Sequence, residues 1–336
     1  MVICRILRVA FDSVQFWAYL QTCPGPPKAS PLRSRDVTVI IPTLGTESRL
    51  IHTVKSWLDV EPGAIIIVTT SSSEKKLQEW LSTLHQDKIR LLSVPKAAHR
   101  EQLVKAIQNV STSALFVTND RSFCSKKSLD YLCEAFSDGT VGGVTLPCII
   151  KPAEGATLNT WESFGALNQV RRTILHSALS YLHSGQVLNL AGAAAGYRTH
   201  ILQNEMFYQY FLNETWLRRF KITSADDNTM TRWTVQGGWR TYFPNMKEAV
   251  IFSSVAPNSN YLRQVKRWSR DTARSYLKDV HFAIRSRQRR AFVHVGLNIA
   301  ANYASDLAIL TELSFLLIRF LALKFANPTL HQGDKL

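Results

Sequence analysis

The chain has 336 residues, 46% hydrophobic and 19% charged, with 15 Gly and 12 Pro, a composition that excludes disordered and collagen-like classes. Its 40 Lys and Arg against 25 Asp and Glu give a formal charge of +15, which points to polyanions (nucleic acid, anionic lipid or a phosphorylated small molecule) without choosing among them. Cys4, Cys23, Cys124, Cys133 and Cys148 form no C-x-x-C pair and read as reduced packing thiols on the cytosolic side.

The first 22 residues are apolar but interrupted by Arg5, Arg8 and Asp12. They fit an interfacial amphipathic helix or an ordinary docking helix, and neither a signal peptide nor a clean span. Residues 23–36 are Pro-rich and basic, a linker. VTVIIPTL (37–44) reads as a buried strand, 45–60 as a helix, AIIIVTT (64–70) as a second strand, and Ser73 as the cap of a helix reaching His85. IRLLSV (89–94), a helix over His99–Val110 and ALFVT (114–118) continue the alternation. Strands alternating with helices at short spacing predict a doubly wound α/β sheet. Ligands of such sheets sit at the carboxyl ends of the strands, here Pro42–Glu47, Thr69–Ser73 and Thr118–Arg121.

Beyond residue 140 a turn and strand are expected around Gly142–Pro147. A long helix follows over Trp161–Tyr181, a small-residue strand and loop over Val187–Tyr197, and a helix over Ile201–Phe220. Ala225–Val235 reads as a helix with an acidic start, Trp239–Pro244 as a strand, and Asn260–Val280 as a basic helix. Arg285, Arg287, Arg289 and Arg290 then precede an apolar stretch from Ala291 to Leu323, whose order fits a cytosolic flank followed by membrane-associated helices. Asp306, Glu312 and Arg319 keep it from being a clean span. The expected organisation is an N-terminal segment and linker (1–35), a catalytic-type α/β domain (36–280) and a membrane-associated tail (281–336).

Three groups of residues carry candidate chemistry. VIIPTLGTE has neither G-x-G-x-x-G nor G-x-x-x-x-G-K-[ST], which argues against dinucleotide oxidoreductases and P-loop nucleotidases. Asp120, in Thr118-Asn119-Asp120 at a strand end, is either a turn residue or a carboxylate for Mg²⁺ or Mn²⁺ shared with substrate phosphates. Asp226 and Asp227 open a helix, where they either cap it or supply a general base and its support. Arg263, Lys266, Arg267, Arg270 and Arg274 fall on one helical stripe beside Trp268, a solvated face or a diphosphate clamp.

Taken in order, VTVIIPT (37–43), TND (118–120), LAGAAAGYRT (190–199), SADDNTMTRW (224–233), GGWRTY (237–242) and QVKRW (264–268), a full Q-x-x-R-W, resemble the processive family 2 glycosyltransferases: hyaluronan, chitin and cellulose synthases. The chain looks most like the fungal type 3 capsule polysaccharide synthases. The resemblance spans roughly residues 36–280. It implies a GT-A fold, a Rossmann-like doubly wound mixed sheet, and inverting transfer from a UDP-sugar to a polysaccharide acceptor with Mg²⁺ or Mn²⁺. Carried onto this sequence, it implies donor contacts at Pro42, Thr43, Glu47, Thr69, Thr70, Arg100, Gln102, Asn119, Gln264 and Arg267. It implies a metal contact at Asp120, the base at Asp227 with Asp226 in support, and acceptor contacts at Trp268 and Gly192. His99, Arg100 and Gln102 match the family's K-R-x-Q segment with His in place of Lys.

Three departures stand out: Thr118 where the family's D-x-D motif begins with an acid, Ala225 where a Gly precedes the paired acids, and Gly192-Ala193 in place of Gly-Arg. The family carries several membrane helices after Q-x-x-R-W. One or two candidates here suggest a shortened product, or a member that adds sugars without exporting a long polymer. The implied setting is a membrane with the catalytic domain facing the cytosol. Expected partners are lipid and a second copy or partner synthase, and nucleic acid is not expected. The alternative reading is a weak or inactive member that binds a nucleotide-sugar or a partner synthase.

Overall fold

The computed structural model describes residues 2–21, 30–45, 48–84, 87–153, 155–182, 187, 189–286 and 313–319. In chain order the elements are α1 (Val2–Gln21), β1 (Val37–Pro42), α2 (Ser48–Leu58), β2 (Ala64–Thr70), α3 (Ser71–Ser82), β3 (Ile89–Val94), α4 (His99–Gln108), β4 (Ala114–Val117), β5 (Phe123–Cys124), α5 (Ser128–Ala135), β6 (Val141–Thr145) and β7 (Cys148–Ile150). They continue with α6 (Thr160–Leu182), β8 (Ala195–Arg198), α7 (Thr199–Leu202), α8 (Glu205–Leu212), β9 (Thr215–Trp216), β10 (Phe220–Lys221), α9 (Asp226–Gln236), β11 (Arg240–Tyr242), β12 (Ile251–Ser253) and α10 (Asn260–Ser286).

The main sheet runs β11-β6-β8-β4-β1-β2-β3. β1, β2, β3 and β4 are mutually parallel, and β8 enters antiparallel to both β4 and β6. The β-branched runs of β1 and β2 are buried along their whole length. Alternate side chains point to opposite faces, as strand geometry requires. Val39, Ile41, Ile65 and Ile67 join one core with Trp57 and Phe136, while Ile40, Ile66 and Val68 join another with Leu103, Phe207 and Phe211. A sheet covered on both faces explains why these strands read as unbroken apolar runs.

The sheet is therefore mixed, and Gly196 of β8 lets α5 pack closely on it, since a Cβ there would meet Leu132 Cδ1 at 2.3 Å. Of the strand and loop expected over Val187–Tyr197, residues 195–197 are extended, as the start of β8. The helix expected over Ile201–Phe220 is instead α7, α8 and the β9–β10 hairpin. Asn204 caps α8 through Met206 N at 2.8 Å. Leu217 and Arg218 turn the hairpin at positive φ (53° and 55°), which suits a tight hairpin turn but is not signalled by their residue types. The predicted cap at Ser73 also moves, since α3 begins at Ser71 after Thr70.

β5, β12 and β7 form a small second sheet. α6 begins at a capping arrangement in which Glu162 N donates to Asn159 Oδ1 (3.0 Å) and Asn159 N to Glu162 Oε2 (3.0 Å). α1 docks with Ala18 fully buried and Trp17 edge-on to Tyr181 of α6, ring centroids 5.6 Å apart. α10 runs on to Ser286, past the expected boundary at 280. Among the described residues no helix is long and apolar enough to cross a membrane. Apart from the helical residues 313–319, the expected apolar segment 291–323 lies outside the described residues. Cys124, Cys133 and Cys148 are free thiols that burial pushes up to about 12, as packing groups should be.

Candidate active site

β1 runs parallel to β2 and to β4, so their carboxyl ends lie side by side. Pro42 closes β1, and Thr43 N donates to Val68 O of β2 at 2.9 Å. Gln102, 1% exposed on α4, donates from Nε2 to Thr43 O (3.0 Å) and Val68 O (2.9 Å). Its amide thus ties the ends of β1 and β2 together. Thr69 and Thr70 end β2. Thr69 Oγ1 is buried without a hydrogen-bond partner, and Thr70 Oγ1 pairs with Ser72 Oγ at 2.9 Å. Glu47 lies outside the described residues.

After β4 the chain turns at Asn119, whose Oδ1 accepts from Arg121 N (3.0 Å) and Ser122 Oγ (2.7 Å), an Asx turn. α2 holds this turn from one face. Thr53 Oγ1 donates to Asp120 O (3.1 Å) and Trp57 Nε1 to Ser122 O (3.1 Å), partners one helical turn apart. The Asp120 side chain stays 30% exposed. It accepts from Thr43 Oγ1 at 2.8 Å and lies 3.8 Å from Arg121 Nε. Thr118 turns its hydroxyl to Ala193 O at 3.0 Å.

Asp226 and Asp227 form the first turn of α9, where the helix dipole favours negative charge. The turn into that helix forces Ala225 into the left-handed region at φ 59° and ψ 38°. Asp226 Oδ2 pairs with His99 Nε2 at 3.3 Å. Burial alone would raise the Asp226 carboxyl, but the imidazolium beside it outweighs burial and lowers it. For His99 burial acts downward and the Asp226 charge and hydrogen bond win, so its pKa is raised.

The Asp227 carboxylate accepts from Gly192 N at Oδ2 (3.3 Å) and from Asn228 N at Oδ1 (2.8 Å). Burial first, and then the neighbouring charge of Asp226, raise its pKa to about 6. One carboxylate held ionised beside another poised near neutrality is the pattern of a supported general base. Gly192 is packed against it: a Cβ there would lie 3.4 Å from Asp227 Cβ.

Other expected contacts have structural partners. Arg100 is 4% exposed and donates to Phe211 O (2.6 Å), Glu214 Oε2 (2.8 Å), Ser224 O (2.7 Å) and Thr229 Oγ1 (3.0 Å). Its guanidinium therefore braces the approach to α9. Gln264 Oε1 accepts from Ala256 N at 3.3 Å. Trp268 packs with Val255 and Tyr261. Arg267 is exposed, and its charge is felt at His99, which puts the basic stripe of α10 within reach of the paired acids. Two residues joined to Asp227 through Asn228 escaped the sequence reading. Asn189 Nδ2 donates to Asn228 Oδ1 at 2.5 Å, and Arg172 Nη2 to Asn189 Oδ1 at 3.2 Å. They are remote from each other and from α9 in sequence, and no motif marks them.

Among the described residues no three His, Cys, Asp or Glu side chains cluster to hold a metal. A lone strand-end carboxylate fits a cation shared with a ligand's phosphates better than a protein cage.

Comparison with known proteins agrees with this geometry. Residues 34–271 match the family model described as glycosyltransferase like family 2. A type 2 glycosyltransferase of Zymoseptoria tritici is 32% identical over 279 residues, covering 82% of this chain and 58% of that protein. One from Gibberella zeae is 31% identical over 274 residues, covering 81% and 51%. The chain thus spans little more than half the length of these curated relatives. Among solved structures, a mannosyltransferase from Pyrobaculum calidifontis in complex with GDP-Man and Mn²⁺ matches at a TM-score of 0.62 and 16% identity, covering 97% of this chain and 92% of that one; this likeness supports the fold. With the mixed sheet and the matched family region together, the chain belongs to glycosyltransferase family 2, on a GT-A-like fold.

Proposed function

We propose that the protein is an inverting glycosyltransferase that moves a sugar from a UDP-sugar to a carbohydrate hydroxyl, with Asp227 as general base. The observation that carries this reading is the Asp226–Asp227 pair. Asp227 is raised to about 6 and held by two backbone N–H groups, and each of its oxygens keeps a lone pair for a hydroxyl proton. The acceptor oxygen attacks the anomeric carbon as Asp227 takes its proton, and the bond to the diphosphate breaks on the opposite face. His99 balances Asp226, so that the second acid stays ionised beside the base.

Asp120 would hold Mg²⁺ or Mn²⁺ jointly with the donor phosphates. The bound cation would supply charge neutralisation for the leaving diphosphate. Arg267, exposed on α10, would supply the same from the protein side. The Pyrobaculum relative, solved with a nucleotide-sugar and Mn²⁺, is in keeping with such a cation. The polysaccharide acceptor and a UDP donor rest on the resemblance to processive synthases. Attachment to a membrane surface with the catalytic body on the cytosolic side draws support from the exposed Val9, Val14, Phe16, Trp17 and Leu20 of α1.

The experiment is UDP release from a panel of UDP-sugars with Mn²⁺, beside Asp120→Asn. Release from one sugar, reduced by at least tenfold in the variant, is expected. Release that does not respond to Mn²⁺ or to Asp120→Asn would remove the metal assignment. A second reading, a member that binds the donor but turns over weakly, is favoured by Thr118, whose hydroxyl is committed to Ala193 O. It predicts donor binding without release from any sugar.

A further inference from the structure

Arg172 lies on α6, 55 positions before the base in sequence, and belongs to none of the motifs above. Its Nη2 donates to Asn189 Oδ1 (3.2 Å), Asn189 Nδ2 donates to Asn228 Oδ1 (2.5 Å), and Asn228 N donates to Asp227 Oδ1 (2.8 Å). This unbroken line of polar contacts joins the middle of α6, the loop before β8 and the first turn of α9. Asn228 is 9% exposed and Arg172 is half-buried. Among the described residues Asn189 is the one hydrogen-bond partner of the guanidinium.

We propose that Arg172 is a positioning residue for sugar transfer: through the Asn189–Asn228 bridge it fixes the placement and the charge environment of the Asp227 carboxylate. The proposal rests on reading Asp227 as the base.

The groups that bear on Asp227 come from four elements. Asp226 of α9 disfavours its charge and Arg172 of α6 favours it. His99 of α4 acts through its pair with Asp226, and Tyr197 of β8 is a buried neutral phenol that feels both acids. Arg172 is therefore the cation that opposes Asp226 at the base itself, as His99 does at Asp226. Without Arg172, two adjacent buried acids would share one site with His99 and Arg100, both acting at Asp226, to offset them. The base would then be protonated at a higher pH.

The bridge also explains the amide pair. An Asn at 228 gives its backbone N–H to the base and its side-chain oxygen to Asn189, so one residue couples the guanidinium to the carboxylate. A carboxylate at 189 would neutralise Arg172 and cancel its effect on the base. An amide hands on the geometry and leaves the charge intact.

The test is a carboxyl-carbon NMR titration of Asp227 in the full chain, its signal assigned by loss in Asp227→Asn. In Arg172→Gln the titration is expected to move up by roughly half a unit to one unit, and in Arg172→Lys to stay close to wild type. The acidic limb of kcat/KM should move with it, while donor KM stays the same. A titration that stays in place in Arg172→Gln, or moves as far in Arg172→Lys, overturns the proposal. If Arg172→Gln does not fold, Asn189→Ala serves: an upward shift supports the bridge and no shift overturns it. The titration needs no turnover, so a chain that transfers no sugar would count against the proposed function and leave this measurement intact.

Discussion

On the function proposed, Asp227 is the residue on which the chemistry turns. Because burial and Asp226 raise it to about 6, its conjugate base is scarce below that pH and dominant above it. Transfer is therefore expected to rise with pH through about 6, read as the acidic limb of kcat/KM. Beside it, Ala225 holds a left-handed backbone, φ 59°, that costs an L-residue about 1–2 kcal/mol. Ala225→Gly is expected to stabilise the protein by about 1 kcal/mol, seen as a higher denaturation midpoint with an unchanged slope. The sequence marked Ala225 as a departure from a glycine. The backbone gives the physical reason a glycine suits that position.

At the scale of elements, one buried carboxylate gathers the helices behind the site. Glu214, between α8 and β9, accepts from Arg100 of α4 (2.8 Å), Arg232 of α9 (2.9 Å), Thr229 of α9 (2.6 Å) and Lys278 of α10 (2.6 Å). Arg232 continues to Asp279 (2.7 Å) and Ser275 (2.6 Å) of α10. Burial would raise the Glu214 carboxyl, but these cations and hydrogen bonds lower it to about 2. A carboxyl lowered from its ordinary 4.5 contributes stability that is complete above pH 4.5 and lost as the pH falls toward 2. Glu214→Gln should cost ~3–5 kcal/mol at neutral pH and flatten that acid-side loss. Denaturant unfolding at a series of pH values reads both effects.

This network also shows where sequence reading stops. Arg100 sits in a segment resembling K-R-x-Q, so the sequence suggested a donor contact; which way a helix turns an arginine depends on Phe211, Ser224 and Glu214, more than 100 positions away. Gln102 in the same segment braces the ends of β1 and β2. β1 and β2 were legible because two-sided burial demands unbroken β-branched runs, and β3 and β4 because they continue the alternation with helices. β8 was legible only in part, since the small residues at 191–196 that precede Tyr197 look like loop residues. The two-residue strands of the β9–β10 hairpin were too short to leave a pattern.

At the scale of the whole molecule, the mixed sheet fixes where chemistry occurs. Its parallel strands β1, β2 and β4 lead to Thr43, Thr70 and Asp120, and α9 presents the paired acids from the β8 side. The outer face of α1 is apolar, with Phe16 53% and Leu20 58% exposed, while Ala18 and Trp17 hold it to α6. If that face meets lipid, Phe16→Ser with Leu20→Ser should weaken cosedimentation with anionic vesicles by tenfold or more, since each apolar side chain removed from water contributes about 1.5–3 kcal/mol. Cosedimentation equal to wild type would place the face elsewhere.

The central claim is that a family 2 glycosyltransferase site here uses Asp227 as its base. Its most direct test sets Asp227→Asn against wild type, measuring UDP affinity and single-turnover transfer from the preferred donor with Mn²⁺. The expected result is unchanged UDP affinity with transfer reduced by about 10²–10⁴-fold. Transfer at the wild-type rate in the variant would contradict the account and move the base to another residue.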